Sequence, residues 1–191
     1  FVPHFHIPLQ SGSNKILRKM RRRYLRELYE DRVSKIKSLI PDSCIGVDVI
    51  VGFPGETEAQ FMKTYELLAD LKLDKAHLAR YSPRPHTVSD RRMEDDVPAE
   101  EKKRRHAMLD DLQAQVVGEI NQQFLGQIVP VLIEDKHRGK WRGRTPQNKL
   151  VFIESDQVSK GQVVDVQITW TGPYSMQGRL PSAQQADERP R

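Results

Sequence analysis

From Cys44 to Val51 every position except Gly46 and Asp48 is apolar, and the run stops in Gly52-Phe53-Pro54-Gly55. A short, β-branched, nearly continuous apolar run predicts a buried parallel strand. Gly52 and Gly55 allow backbone angles closed to other residues, and Pro54 fixes one angle and removes a donor. Thr57 with Gln60 has the spacing of a capping box, so a helix opens directly after the turn. A strand end, a glycine turn and a helix start form the corner where α/β folds place ligands. An ordinary strand–helix connection with no ligand has the same pattern.

The same alternation brackets this corner. Phe1 to Leu9 is a short apolar stretch with Pro3 and Pro8, a strand with restricted edges. Gln10 to Asn14 is a polar turn, and Ser13 or Asn14 can cap a helix from near Lys15 that turns Ile16, Leu17 and Met20 inward. Leu25, Leu28, Tyr29, Val33, Ile36, Leu39 and Ile40 recur at helical spacing, and Pro41 ends that helix. Phe61, Tyr65, Leu68 and Leu71 mark the next helix, and Lys75 to Tyr81 reads as a strand. Strand, helix, strand, helix, strand predicts parallel crossovers, with the ligand end at the strands' C-terminal ends. Three strands are too few to close a barrel, so the expectation is half of one.

Residues 82–96 are rich in Pro, Arg and Asp and predict a loop or strap. Pro98 opens a long helix whose apolar face is Leu109, Leu112, Val116, Ile120 and Phe124, stopped by Gly126. Beyond it the period changes to two. Five short strands are predicted at residues 128–133, 140–145, 150–154, 163–170 and 175–180, divided by turns at Arg138-Gly139, Pro146-Gln147-Asn148, Lys160-Gly161 and Gly172-Pro173. That spacing predicts a small all-β barrel of the oligonucleotide-binding kind. The expected domains are therefore residues 1–126 and 127–180, with a disordered polar tail over 181–191.

Composition narrows the function. The 191-residue chain carries a formal charge of +5, 30% charged residues and one cysteine, Cys44. One cysteine excludes an internal disulfide and a multi-cysteine metal site in this chain and suits a reducing, cytoplasmic setting. No apolar run is long enough to cross a bilayer, so no membrane partner is expected. The chain begins without methionine in strand-like sequence, which suggests a piece of a longer protein. The charge is unevenly spread. Lys136, Arg138, Lys140, Trp141, Arg142, Arg144 and Lys149 crowd one hairpin with no acid between Lys136 and Lys149, a combination suited to phosphate neutralisation and base stacking. A second acid-free basic run, Lys15 to Arg26, fits a solvated helix end and a phosphate contact equally well. His4 and His6 share strand spacing but lack a third metal ligand, and His77 fits a hydrogen-bonded core position. No nucleophile–base pair stands out, and Gly52 to Thr57 lacks the ending of a phosphate-binding loop.

Three strand ends taken together are more specific. His6-Ile7-Pro8-Leu9-Gln10-Ser11-Gly12-Ser13, Asp48 to Thr57, and Tyr81-Ser82-Pro83-Arg84-Pro85 resemble the radical S-adenosylmethionine methylthiotransferases, and Arg142 to Phe152 resembles their appended TRAM domain in the tRNA-modifying branch. The resemblance implies an α/β fold, the C-terminal half of a partial (β/α) barrel followed by an OB-like TRAM barrel. It implies an enzyme that adds a 2-methylthio group to N6-isopentenyladenosine beside the anticodon of tRNA; the sequence leaves the oligomeric state unknown, a monomer at full length being the expectation. The family uses S-adenosylmethionine and [4Fe-4S] clusters, one of which is held by three cysteines and cleaves S-adenosylmethionine to a deoxyadenosyl radical. None of the cluster ligands lies here, so an upstream half would supply them as a partner to this chain. Carried over by position, Gln10, Ser11, Gly12, Asp48, Gly52, Phe53, Tyr81 and Ser82 would line the S-adenosylmethionine site. Two positions depart from the family pattern. His86 stands where glycine is usual, and Arg23 and Leu25 flank Tyr24 where a small capping residue is common. The alternatives are a methylthiotransferase acting on an aspartate of a ribosomal protein, against which the basic hairpin argues, and a non-catalytic RNA-binding module.

Overall fold

The computed structural model describes residues 2–181, so the expected tail falls almost wholly outside the described residues. The chain divides into two compact units, residues 5–116 and residues 117 onward with residues 1–4. The division falls within the long helix, earlier than the helix end at which the sequence suggests a boundary.

In the first unit three strands form one sheet in the order β1 (His4–His6), β2 (Cys44–Val51) and β3 (Lys75–Arg80). β2 and β3 run parallel, with Asp48 opposite His77 and Val51 opposite Arg80. The first strand is shorter than its apolar pattern suggests. Beyond His6 the chain keeps a parallel ladder only intermittently: Ile7 N donates to Gly46 O, Gln10 N to Asp48 O, and Ile50 N to Gln10 O. Pro8 has no N–H to contribute to a ladder. The hydroxyls of Tyr24 and Tyr29 donate instead to the carbonyls of Pro8, Leu9 and Ile7 at 3.0 Å.

β2 buries one face against helices. Ile45, Val47, Val49 and Val51 pack with Leu9, Tyr29, Val33, Phe61, Leu67 and Leu109. The helices are α1 (Asn14–Lys19), α2 (Arg26–Leu39), α3 (Glu58–Leu71), α4 (Val88–Arg92) and α5 (Ala99–Gln122). The apolar stripe of α2 is narrower than its sequence pattern: Tyr29 and Val33 are buried, whereas Leu28 and Leu39 are exposed. Of the inward residues expected of α1, Ile16 and Leu17 are buried and Met20 is only partly so, standing at the helix C-cap. Within the predicted strap, α4 is a single short helix, capped where Thr87 Oγ1 accepts from Asp90 N.

Of the two departures from the family pattern, the one at the start of α2 is compensated. Leu25, at the N-cap of α2, offers no side-chain bond, but the Asn14 side chain accepts from Arg26 N at 2.7 Å and donates to Glu27. A distant asparagine thus replaces the missing cap. His86 adopts φ +71, the left-handed conformation that favours glycine. The predicted cap bond from the Ser13 side chain is absent, although Ser13 stands at the N-cap of α1.

The second unit is a closed barrel in the order β4 (Ile128–His137), β5 (Lys140–Arg144), β6 (Leu150–Ile153), β8 (Met176–Arg179) and β7 (Val163–Thr171), with β7 returning to β4. Alternation sends Val129, Val131, Ile133, Val151, Ile153, Val166 and Ile168 into its core. β4 runs four residues beyond the predicted strand. A bulge between Ile133 and Asp135 resets the register and lets the polar stretch pair Lys136 with Trp141 and His137 with Lys140. Arg138 (φ 50) and Gly139 (φ 84) close this hairpin with the two positive φ angles of a primed turn. The end of α5 joins this unit, where Asn121 Nδ2 donates to Gly172 O at 2.7 Å.

Candidate functional site

β2 leaves its other face, with Asp48 and Ile50, away from the helical core. There the C-terminal parts of β2 and β3, with the loop after β1, border a cleft of about 710 Å3. Gln10, Asp48, Phe53, Tyr81 and Ser82 line it. Gln10 reaches it through a left-handed backbone (φ 70) at the isolated bridge to Val49. Asp48 Oδ1 faces His6 Nε2 at 3.1 Å, and the His6 ring lies 5.5 Å from that of His77. His77 also lines the cleft, so it is not the core residue its apolar strand suggests. Phe53 and Tyr81 meet edge to face at 5.1 Å and make an aromatic corner.

Ser11, Gly12 and Gly52 stand behind the cleft wall. Ser11 is fully buried and its Oγ accepts from Ser13 N. Gly12 N donates to Thr64 Oγ1 at 2.8 Å, and a Cβ at Gly12 would come within 2.5 Å of Lys63 O. Glycine at this position lets α3 approach the loop after β1. Gly52 (φ +71) lies under the stem of Lys102, whose Cγ would be 2.3 Å from a Cβ there. Bulk at Gly52 would therefore meet backbone strain and Lys102 before meeting any ligand.

The turn that presents Phe53 is held from behind by charges that sequence patterns did not single out. Gly52 N donates to Glu56 Oε2 at 2.6 Å. Arg105 Nη1 donates to the Glu56 carboxylate and to its carbonyl, both at 3.0 Å, and Arg105 Nε donates to Glu101 at 2.7 Å. Both Glu56 and Arg105 are buried. Burial pushes the Glu56 carboxyl above the ordinary carboxylate range, against the Gly52 N–H and Arg105, which pull it down. Lys102 Nζ bonds both oxygens of Asp95, and Gly55 N donates to Asp96 Oδ1 at 2.6 Å. Only the spatial approach of α5 brings these groups together.

Arg104 and then Arg105 hydrogen-bond the Glu101 carboxyl and hold it down at about 2, below its ordinary 4.5. A depressed carboxyl stabilises the fold fully above its unfolded value and loses that contribution as pH falls through the folded one. Glu101→Gln is therefore expected to flatten the decline in stability between pH 4.5 and about 2, followed by urea unfolding at stepped pH. A variant as steeply acid-sensitive as the parent would contradict this role.

The basic hairpin is less open than its sequence. Acids just outside the acid-free stretch pair with it across the sheet: Arg142 with Asp135, Lys140 with Glu154 and Arg144 with Glu134. Asp135 is pulled down by its hydrogen bond to Arg142. Lys136 Nζ lies over the Trp141 ring at 4.7 Å, covering one face, while Lys149 is buried. Arg138 sits at the exposed tip. Trp170 and Tyr174, not singled out by the sequence pattern, are the more exposed aromatics of this unit.

Among the described residues no group of three His, Cys, Asp or Glu is arranged to hold a metal ion, and Cys44 is buried. No described helix is long and apolar enough to cross a membrane.

Comparison with known proteins gives both units a lineage. The radical SAM superfamily model matches residues 2–68, and the TRAM domain model matches residues 122–180. The chain is 47% identical over 174 residues to a tRNA-2-methylthio-N(6)-dimethylallyladenosine synthase of Dehalococcoides mccartyi (strain CBDB1), covering 91% of this chain and 42% of that protein. To the protein of the same name in Roseiflexus sp. (strain RS-1) it is 45% identical over 182 residues, covering 94% of this chain and 38% of the relative. The chain thus spans less than half the length of these relatives. Among solved structures, coproporphyrinogen III oxidase from Escherichia coli, described as a radical SAM enzyme, matches with a TM-score of 0.50 at 15% identity, over 87% of this chain and 41% of that one. That likeness is one of fold. The chain thus matches the radical SAM superfamily in the first part of its first unit and the TRAM domain in its second, and over most of its length it is similar to part of the tRNA-2-methylthio-N(6)-dimethylallyladenosine synthases.

Proposed function

We propose that this chain is the C-terminal part of an enzyme that adds a 2-methylthio group to N6-isopentenyladenosine next to the anticodon of tRNA. The observation that carries the proposal is the cleft bordered by β2, β3 and the loop after β1, in a chain 47% identical to a synthase of that name. Its volume falls within the range of small-molecule sites, roughly 300–1,000 Å3. An aromatic corner beside polar groups suits the adenine and ribose of S-adenosylmethionine. When bound, that cofactor supplies a reactive sulfonium.

Phe53 and Tyr81 bind the flat heterocycle and exclude water from it. Gln10, Asp48 and Ser82 hold polar atoms, and Ser11, Gly12 and Gly52 shape the loops that carry them. An iron–sulfur cluster does not fit these residues, since the one cysteine is buried in the core. Its ligands belong to the N-terminal part of the enzyme, outside these 191 residues. The TRAM barrel contacts the tRNA anticodon stem-loop through Arg138, Lys136 and the neighbouring exposed side chains, with the work done in the cytoplasm.

The test is Phe53→Ala in the intact enzyme. Loss of the aromatic contact, about 1 kcal/mol, is expected to weaken S-adenosylmethionine binding five- to tenfold and to lower the yield of methylthiolated tRNA measured by nucleoside mass spectrometry. Unchanged affinity and yield would remove Phe53, and the wall it forms, from the site.

A further inference from the structure

We infer that the mouth of the cleft is itself an RNA-phosphate track, formed by Arg21 and Arg22 after α1 and by Arg80 and Arg84 at the end of β3. This rests on the proposed tRNA role and adds a second contact surface in a unit for which the TRAM match says nothing. Two basic segments far apart in sequence converge here, since all four arginines line the same cleft, with Lys19 beside them.

Their charge is not cancelled. Among the described residues no carboxylate lies within ion-pair distance of any of the four. Lys19 Nζ donates to a carbonyl, Pro54 O, at 3.2 Å. The single acid lining the cleft, Asp48, faces His6. The TRAM hairpin is the opposite case, with Lys140, Arg142 and Arg144 each paired to an acid. The surface with the stronger sequence signal is therefore the more neutralised one.

The backbone supports the same conclusion. α1 ends with Arg22 N donating to Leu17 O and Arg21 N to Arg18 O, the double closure that places the intervening residue in the left-handed region. Arg21 occupies that position at φ 58, where glycine would be unstrained. An arginine held there at a backbone cost projects its guanidinium at the cleft mouth. Four arginines from two separate segments of the cleft lining suit successive phosphates of a strand, each guanidinium able to take a bidentate contact.

The experiment measures binding of a fluorescently labelled, unmodified anticodon stem-loop RNA to the full chain by anisotropy across a salt series. Replacing Arg21 by Gly and Arg22, Arg80 and Arg84 by Gln is expected to reduce the slope of log K against log salt by about 0.7 for each arginine, about 2–3 together. Lysines at positions 22, 80 and 84, with Arg21 retained, should restore most of it. Circular dichroism checks folding. If the fourfold variant unfolds, Arg21→Gly alone carries the test, because glycine relieves strain while removing one charge. An unchanged slope in a folded variant would overturn the track. If in addition Lys136→Gln/Arg138→Gln abolishes binding, the TRAM contact stands and the track alone fails. If the parent chain does not bind the RNA at low salt, the tRNA role falls with it.

Discussion

Arg105→Met is expected to destabilise the first unit by about 3–5 kcal/mol, the usual cost of breaking a buried ion pair from one side. The Arg105 and Glu56 side chains are only 5% and 1% exposed, so solvent offers little compensation. Without Arg105, the carboxylate keeps one Gly52 N–H and otherwise faces low dielectric. Its pKa, already raised by burial, rises further. The folded state then holds a proton that the unfolded chain has released, so the variant loses stability as pH rises through the window above 4.5. That window lies above the one governed by Glu101, so the two effects separate. The double variant Glu56→Gln/Arg105→Met should recover much of the loss, because the amide oxygen can still accept from Gly52 N. Urea unfolding followed by circular dichroism measures all three. A loss below about 1 kcal/mol in the single variant would show that the pair does not hold the turn.

The second large effect is expected in the barrel. Ile153 is fully buried among Val129, Val131, Val151 and Ile168, and Ile153→Ala should cost about 2–5 kcal/mol. A core of this size supplies only ~3–5 kcal/mol, so the variant should leave the barrel largely unfolded near room temperature. Both tryptophans of the chain, Trp141 and Trp170, lie in this unit, so their fluorescence reports its folding selectively. The expected result is an unfolded emission spectrum without denaturant, with most helical circular dichroism retained. A native spectrum and a midpoint shift worth under 1 kcal/mol would contradict the assigned core.

What was legible in the sequence was what periodicity and turn chemistry encode. Cys44 to Val51 was visible as a strand because its apolar run stops in a glycine turn, and the barrel hairpins were visible through Arg138-Gly139 and Gly172-Pro173. Gln60 Oε1 accepts from Thr57 N at 3.1 Å, as the capping-box spacing predicts. Less legible were features fixed by partners distant in sequence. Asn14 serves a helix that starts twelve residues later, and Arg105 serves a turn on another element. The hairpin charges illustrate the limit most clearly. An acid-free stretch looks unpaired along the chain, yet Asp135 and Glu154 meet it across the sheet. Conversely, the basic run after Lys15, ambiguous as sequence, opens onto the cleft once β3 brings Arg80 and Arg84 beside it. Strand-end motifs located the cleft but did not separate Phe53 and Tyr81, which line it, from Ser11 and Gly12, which pack behind it.

The central claim, that the strand ends form a wall of an S-adenosylmethionine site, is tested most directly by titrating S-adenosylmethionine into isotope-labelled chain and following amide and aromatic NMR signals. Saturable shifts at Gln10, Phe53, Tyr81 and Ser82, with the TRAM barrel unmoved, are the predicted result. No saturable shift, or shifts confined to the barrel, would contradict it.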